Sequence, residues 1–542
     1  MADERPVARL GGHLVAESLA ALGAELVFGV PGVHALPMWE GLHASRVEVI
    51  GLRHELDAAF AADGRARVTG RPEAVLVSTG PGAFLTLPAV LEAWAAFVPL
   101  VVVASQIDAA AIGSGRGELH ESPDQAASFA TLVKSTARAT RAEEIPPLLA
   151  EAWRRAASPP QGPVYLEIPA DVLLAPAEGI EAGELDGSPE LPPLPPAADL
   201  DRAALLLAEA ERPLLVAGGG VVRSGAGAEV LELAARLDGP IATTVTGKGA
   251  IPEHHPLAVG SAWDEPAHRA LVAGADAVLV VGSWLGYELR DAFRDFAGTL
   301  VEIDAAPERL ALNAPALGLV GDARETLRAL LERIGTRSTA GRGARRAEEA
   351  RARIDGAHAR EQDGGTLTLL AAIEERLGGG KPAAWDSTIL SYAATAYLRA
   401  DHPRSFLYPA GSSTLGYALP AALGAASALP GRPVLAVVGD GGLQYGLAEL
   451  ATARQHRLPV VVLVVDDGGY GILRAYQDER GFSHAGVDLE SPDFVSLAAA
   501  FGLPARRSSP ARLSADLDSA LEAGEPAMVV LDLELALPTP SS

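Results

Sequence analysis

The sequence predicts an α/β protein built as three doubly wound parallel-sheet domains. Three observations carry this. First, short runs that are apolar on both faces recur along the 542 residues: AVLVS (74–78), LVVVAS (100–105), PVYLEI (163–168), LLVAGG (214–219), AVLVVG (277–282), LVEID (300–304), VLAVVGD (434–440) and VVVLVVD (460–466). Strands of a parallel sheet covered on both sides read this way. Second, longer Ala/Leu/Glu/Arg helical patterns separate the runs, and repeated strand–helix–strand order implies doubly wound layers. Third, two stretches break the alternation, at about 176–200 (rich in Pro, Gly and acids) and about 336–365. They divide the chain into domains 1–175, 195–335 and 365–542. The second stretch has a charged centre, expected to form an exposed helix with no apolar stripe to bury.

Composition limits the function classes. The 44 basic and 69 acidic residues leave a formal charge of −25, which disfavours a nucleic-acid partner bound through bulk charge. Hydrophobic residues at 49 % and charged residues at 21 % exclude wholesale disorder. Cysteine is absent, which removes disulfides, thiolate metal sites and thiol nucleophiles. The N-terminus MADERPVARL has no apolar h-region, so no secretory signal is expected. The longest apolar stretches are Ala89–Ala104, broken by Glu92, and Leu458–Val465; both fall short of the roughly 18–20 residues of a membrane span. The expectation is a cytoplasmic protein without membrane contact.

The richest chemistry lies in VLAVVGDGGLQYGLAELATARQHRLPVVVLVVDDGGYG (434–471). One buried strand ends in Gly439-Asp440-Gly441-Gly442, a helix is expected over 443–456, and a second buried strand ends in Asp466-Asp467-Gly468-Gly469-Tyr470-Gly471. Neighbouring strand ends bring two carboxylates close. Glycines let backbone approach a ligand, and helix N-termini offer N–H groups to an anion. Carboxylate and carbonyl oxygens suit octahedral Mg²⁺, which commonly bridges protein to diphosphate. Gly-Asp-Gly turns are also ordinary sheet punctuation, and the second acidic loop is what favours a ligand.

A GDG followed, after 24 residues, by a polar pair resembles the thiamin-diphosphate motif of the acetolactate synthase / 2-oxo acid decarboxylase family. The resemblance implies pyrimidine-binding, central Rossmann-like and diphosphate-binding domains in that order. It implies Mg²⁺ on Asp440, Asp467 and the carbonyl of Gly469, with Gly441, Gly442, Tyr470 and Gly471 around the diphosphate. The family has Asn-Asn where this chain has Asp466-Asp467, which places an extra negative charge beside an anionic cofactor. That departure leaves a second reading open, a non-catalytic or cofactor-impaired relative with a binding or regulatory role.

Further segments extend the resemblance over the whole chain. LVFGVPGVHALPMWEGL (26–42) and VIGLRHELDAAFAADGRARVTG (49–70) resemble the family's start. They imply Pro31 at the cofactor and Glu55 as the catalytic glutamate that protonates the aminopyrimidine. STGPGAFLTLPAVLEAW (78–94) supplies Gly80, and GSSTLGYALPAALGA (411–425) supplies the carbonyl of Ser413 and the wedge Leu415; alone, Leu415 reads equally as core. The central RPLLVAGGGVV stretch binds FAD in some members. Its Gly218-Gly219-Gly220 lacks GxGxxG spacing, so FAD is not expected here.

The activity implied is decarboxylation or carboligation of a 2-oxo acid through a cofactor C2 ylide and enamine. A homodimer or homotetramer is implied too, with the site between the first domain of one subunit and the third of its partner. Around the substrate, Val33 and Leu76 fall where benzoylformate decarboxylase has a pocket serine and a histidine, so that enzyme's mechanism is not implied; His255 falls on its second histidine but also reads as a packing residue. Ile472, Leu473 and Tyr476 fall on the helix that borders the pocket. GSGRGELHESPDQAASF (113–129) looks most like 5-guanidino-2-oxopentanoate decarboxylase relatives, making His120 a candidate acid/base or a structural residue. Glu118, Glu121 and Asp124 are the nearby carboxylates available to a guanidinium.

Overall fold

The computed structural model describes residues 8–336, 341–358, 365–378 and 380–538. Its strands form three six-stranded sheets. The first holds β1 (Leu26–Gly29), β2 (Glu48–Gly51), β3 (Glu73–Val77), β4 (Leu100–Gln106), β5 (Thr136–Arg138) and β6 (Val164–Pro169). The second holds β7 (Pro213–Ala217), β8 (Ile241–Thr243), β9 (Ala258–Gly260), β10 (Ala277–Val281), β11 (Thr299–Asp304) and β12 (Leu317–Val320). The third holds β13 (Ala383–Trp385), β14 (Phe406–Leu407), β15 (Val434–Gly439), β16 (Val460–Asp466), β17 (Ala505–Ser508) and β18 (Ala527–Asp532).

Strand orders are β2-β1-β3-β4-β6-β5, β12-β11-β10-β7-β8-β9 and β14-β13-β15-β16-β18-β17. The strand pairings within these sheets are parallel. The first and third sheets share one topology. Central strands are buried on both faces, and every residue of β3, β4, β7 and β10 is buried. That burial is why Val, Leu and Ala fill them without alternation.

Two local expectations change. The helix expected over 443–456 is split into Asp440–Leu443 and Glu449–His456. Gly446 lies in the break against the Asp57 carboxylate, 3.3 Å from where its Cβ would stand. The helix Arg342–His358, expected to bury nothing, seats Ala347, Ala350 and Ile354 in a core with Val278, Val280 and Leu300. Small alanines make a narrow stripe that a search for large apolar residues overlooks. Residues 337–340 and 359–364 of the second linker lie outside the described residues.

The first and third domains share one hydrophobic core, joined by the crossing of helices Glu55–Thr69 and Ala418–Ala428. The crossing is close because it is built on glycine. A Cβ on Gly424 would stand 1.8 Å from the Ala61 carbonyl oxygen, and one on Gly64 2.2 Å from that of Ala421. Gly424→Val is therefore expected to cost about 1–3 kcal/mol through overpacking, read as a lowered melting temperature of the whole chain.

A buried acid pair sits at the same junction. Burial first, then the neighbouring Glu449, pushes the Asp57 carboxyl up to about 8. Glu449 accepts the backbone N–H of Arg53 at 2.8 Å and is itself raised by burial. An acid raised on folding lowers stability as pH climbs from its unfolded value near 4 to its folded value near 8, and the loss is complete above that. Asp57→Asn removes this loss. Its melting temperature relative to wild type is expected to rise by several degrees between pH 5 and pH 8. A difference that stays flat with pH would refute the assignment.

Candidate functional site

At the C-terminal ends of β13, β15 and β16 lies a cleft of about 770 Å³. Ligands bind at this end of α/β sheets, where strands stop and loops diverge. Its walls include Asp440, Gly441, Gly442, Asp467, Gly469, Tyr470, Gly471, Ile472, Leu473, Ser413 and Leu415. The sequence-derived metal and diphosphate residues are thus gathered in one place. Tyr476 lies on the same helix, Gly471–Glu479, but outside the cleft lining and partly exposed.

The geometry explains the glycines. Gly441 meets the ring of Tyr470, and Gly442 meets the Asp386 carboxylate, at 2.6 and 3.0 Å from a would-be Cβ. Asp386, Ser387 and Thr388 follow β13, and Ser387 and Thr388 line the cleft. Asp386 receives the backbone N–H groups of Ser387 at 2.8 Å and Gly416 at 3.0 Å. It thereby fixes the end of the 413–416 loop. Ser387 Oγ donates to the Ser413 carbonyl at 3.0 Å. Reading the sequence for Gly-Asp motifs missed this trio. The signal was a polar Asp-Ser-Thr run closing the short apolar strand AAW.

Asp440 is 1 % exposed. One carboxylate oxygen accepts Ser491 Oγ at 2.7 Å, while Oδ1 is buried with no partner among the described residues. An orphaned buried carboxylate oxygen is costly unless something charged or polar meets it. Asp467 is pushed up to about 6 by burial, with Arg474 opposing and Asp440 adding. Arg474 donates from Nη2 to Asp467 Oδ1 at 2.8 Å and to its carbonyl at 2.6 Å. The Asp that replaces an amide therefore carries its own counter-charge. Among the described residues no three His, Asp or Glu side chains form a ready-made metal cage. The oxygen donors on offer are Asp440, Asp467 and the Gly469 carbonyl. A hard cation that keeps open positions for phosphate oxygens fits them.

A second cluster forms in the first domain. Glu55 opens the helix Glu55–Thr69, half-buried, and its Oε1 is 3.3 Å from a Cβ built on Gly82. In the same 78–82 loop, Gly80 (φ +61°) packs against the His120 carbonyl and donates its N–H to Gln125 Oε1 at 2.6 Å. Gln125 is fully buried and also donates to Ser105 and Tyr165, so it anchors the loop; sequence reading passed it over. His120 (φ +65°) faces the ring of His34, centroids 5.8 Å apart.

His34 was also missed, lying one residue beyond Val33. Its Nδ1 hydrogen-bonds Thr79 at 3.0 Å, and burial, then His120, lower its pKa, which keeps the ring neutral at pH 7. Pro31 and Val33 are exposed beside it.

Other candidates lie apart. His255 sits in the turn before β9, its Nδ1 accepting the Leu257 N–H at 3.2 Å. Glu121 is engaged by the N–H groups of Gly115, Gly117 and Glu118, and Asp124 caps the helix Gln125–Phe129. These two carboxylates hold loop backbone. Gly218 and Gly220 pack against Gly282, joining the ends of β7 and β10. No residue of the first domain lines the cleft that holds Asp440.

Comparisons with known proteins follow the same division. Residues 9–128 match the N-terminal TPP binding domain of thiamine pyrophosphate enzymes, 200–330 their central domain, and 386–531 their C-terminal TPP binding domain. A relative from Pseudomonas aeruginosa named "Probable 2-ketoarginine decarboxylase" is 37 % identical over 506 residues, covering 92 % of this chain and 89 % of the relative. The acetolactate synthase isozyme 3 large subunit of Escherichia coli is 30 % identical over 536 residues, covering 94 % and 92 %. Among the described residues no helix is long and apolar enough to cross a membrane. With all three domain matches in order and these relatives aligned over nine-tenths of the sequence, the chain belongs to the thiamine pyrophosphate enzyme family.

Proposed function

We propose that the protein is a Mg²⁺- and thiamin-diphosphate-dependent enzyme that releases CO₂ from a 2-oxo acid. The single observation that supports this most is Asp440 Oδ1, buried and unpartnered beside Asp467 in a cleft whose donors suit a metal-bound diphosphate. When bound, thiamin diphosphate supplies the electron sink for decarboxylation.

The residues divide the remaining work. Asp440, Asp467 and the Gly469 carbonyl hold the cation. Leu415 and the Ser413 carbonyl shape the cofactor's path through the cleft. Ile472 and Leu473 keep its mouth apolar. Glu55 holds and returns a proton at the aminopyrimidine N1′, and His120 and His34 flank the carbonyl carbon's side of the pocket.

Glu55 and Asp440 belong to different surfaces of one chain. The reading therefore includes a homodimer, or a dimer of dimers, in which the partner subunit completes each site. Exposed apolar side chains on both surfaces support it: Leu36, Leu85, Leu91 and Trp94 on the first domain, Tyr445 and Leu473 on the third. The substrate reading follows the 2-ketoarginine decarboxylase relative, a 2-oxo acid with a guanidino tail. CO₂ release and product analysis on 5-guanidino-2-oxopentanoate and pyruvate test both parts. An aldehyde from the guanidino acid with higher kcat/KM than pyruvate is expected. Acetolactate from pyruvate as the preferred product would replace the decarboxylase reading with a carboligase. No thiamin diphosphate binding in the presence of Mg²⁺ would end the proposal.

A further inference from the structure

Residues 282–289 of the central domain leave the end of β10 and meet the third domain beside the thiamin cleft. Tyr287 in this loop neighbours Tyr476, on the helix Gly471–Glu479 whose first turn lines the cleft. Burial first, then Tyr287, raise the Tyr476 phenol. The next residue, Glu288, is the carboxylate that acts on Tyr408. The Tyr408 phenol hydrogen-bonds the hydroxyls of Ser413 and Ser387, both in the cleft wall.

Glu288 is open to a cavity of about 910 Å³, whose outer end is marked by Tyr287 at 90 % exposure. Ala410 and Gly411 line the same cavity, and Ser413 lines the thiamin cleft. The two spaces therefore lie back to back across two residues of chain, which span at most about 7 Å.

Glu288 lacks a counter-charge. Among the described residues it makes no ion pair, and its carboxylate accepts the Val245 N–H at a long 3.5 Å. The cation that acts on it, Lys248, is held by Glu253 at 3.3 Å and Ser261 at 2.8 Å. The two arginines of the cavity wall, Arg223 and Arg309, have Asp304 as their leading counter-charge. Burial, opposed by the Val245 N–H, and then the charge of Asp264 push the Glu288 carboxyl up to about 7. A cation seated beside it would reverse that shift. Glu121 and Asp124 are committed to loop backbone, whereas Glu288 is held by one long contact.

We propose that Glu288 selects the substrate: its carboxylate receives the cationic tail of a 2-oxo acid whose carbonyl end lies in the thiamin cleft. In extended 5-guanidino-2-oxopentanoate the carbonyl carbon and the guanidinium are about 6 Å apart, a length that matches the separation of the two spaces. A guanidinium offers a planar fork of donors to a carboxylate and lies flat on aromatic rings. Tyr287 and Tyr476 supply such rings. The contact is remote from the reacting carbon, so it is made alike before and during the reaction and sets KM more than kcat. This assignment rests on the function proposed above and names the residue that reads the tail.

The test is turnover of 5-guanidino-2-oxopentanoate and of 2-oxohexanoate, which has the same head and an uncharged tail, by the full chain loaded with Mg²⁺ and thiamin diphosphate. Wild type is expected to prefer the guanidino acid. In Glu288→Gln the ratio of the two kcat/KM values should fall about 30-fold or more, through the KM of the guanidino acid. Glu288→Asp keeps the charge and should hold the ratio within about fivefold of wild type. An unchanged ratio in Glu288→Gln, or no preference in wild type, overturns the assignment. Calorimetric titration of the full chain with 4-guanidinobutanoate and with hexanoate needs no turnover and separates the two readings. Binding of the first alone, lost in Glu288→Gln, in a chain that decarboxylates no 2-oxo acid would keep the cation site and end the proposed function. Turnover of 2-oxohexanoate without preference for the guanidino acid would keep the function and end the site.

Discussion

Glu55→Gln is expected to lower kcat by about 10²–10⁴-fold while leaving the affinity for thiamin diphosphate within a few fold of wild type. General acid–base groups contribute on that scale, and an amide of the same shape keeps the contacts but cannot carry the proton. The half-buried carboxyl stands at the first turn of its helix, against the 78–82 loop rather than in the Asp440 cleft. This separation gives the prediction its sharper form. Asp440→Asn is also expected to be inactive, because it weakens the metal site. Mixed after unfolding and refolding together, the two inactive variants should regain about a quarter of wild-type activity. Random pairing gives hybrid dimers, and each hybrid carries one site with both wild-type residues. A mixture as inactive as its parts would show that Glu55 and Asp440 act within one chain. The isolated Glu55→Gln protein tests the catalytic role itself, since a glutamate without that role would leave kcat unchanged.

The second large effect is expected at Arg474. Its guanidinium is the counter-charge to Asp467 and is partly shielded from water, with side-chain exposures of 18 % and 12 % for the pair. Removing one partner of such a pair leaves an uncompensated charge, and here that charge faces a diphosphate. Arg474→Gln is expected to weaken Mg²⁺-thiamin diphosphate by about 10–100-fold. Asp467→Asn keeps an oxygen ligand and should change affinity far less. The double variant Asp467→Asn/Arg474→Gln is expected to return close to wild type, so the cycle reads the coupling directly. Quenching of tryptophan fluorescence on cofactor titration, with chelator-stripped protein as the zero-metal control, measures all four. Additive losses in the double variant would show that Arg474 only supports the helix, and that Asp467 is not the charge it answers.

Much of this protein was legible before folding. The eight apolar runs marked eight of the eighteen strands to within two residues; β16 coincides with the predicted 460–466, and β15 ends one residue earlier than expected. Buried parallel strands leave a strong local signature because both faces must be apolar. The Gly-Asp turns were legible for a similar reason, since backbone that must approach a ligand admits little besides glycine. Asp440, Asp467, Gly469, Ser413 and Leu415, distant along the chain, do converge on one cleft.

What the sequence left open is what depends on partners far away in the chain. Nothing local marks Asp386, Gln125 or His34, because each acquires its meaning from the loop or ring packed against it. Glu121 and Asp124, eligible by position to meet a guanidinium, are engaged by backbone N–H groups instead. The acidic pair 466–467 read as an electrostatic liability until the fold placed Arg474 within 2.8 Å. The sequence by itself determined the three sheets and the donor types, because burial and backbone approach constrain each residue where it stands. Only the tertiary structure decided which charges are answered, because a counter-ion can come from anywhere in the chain.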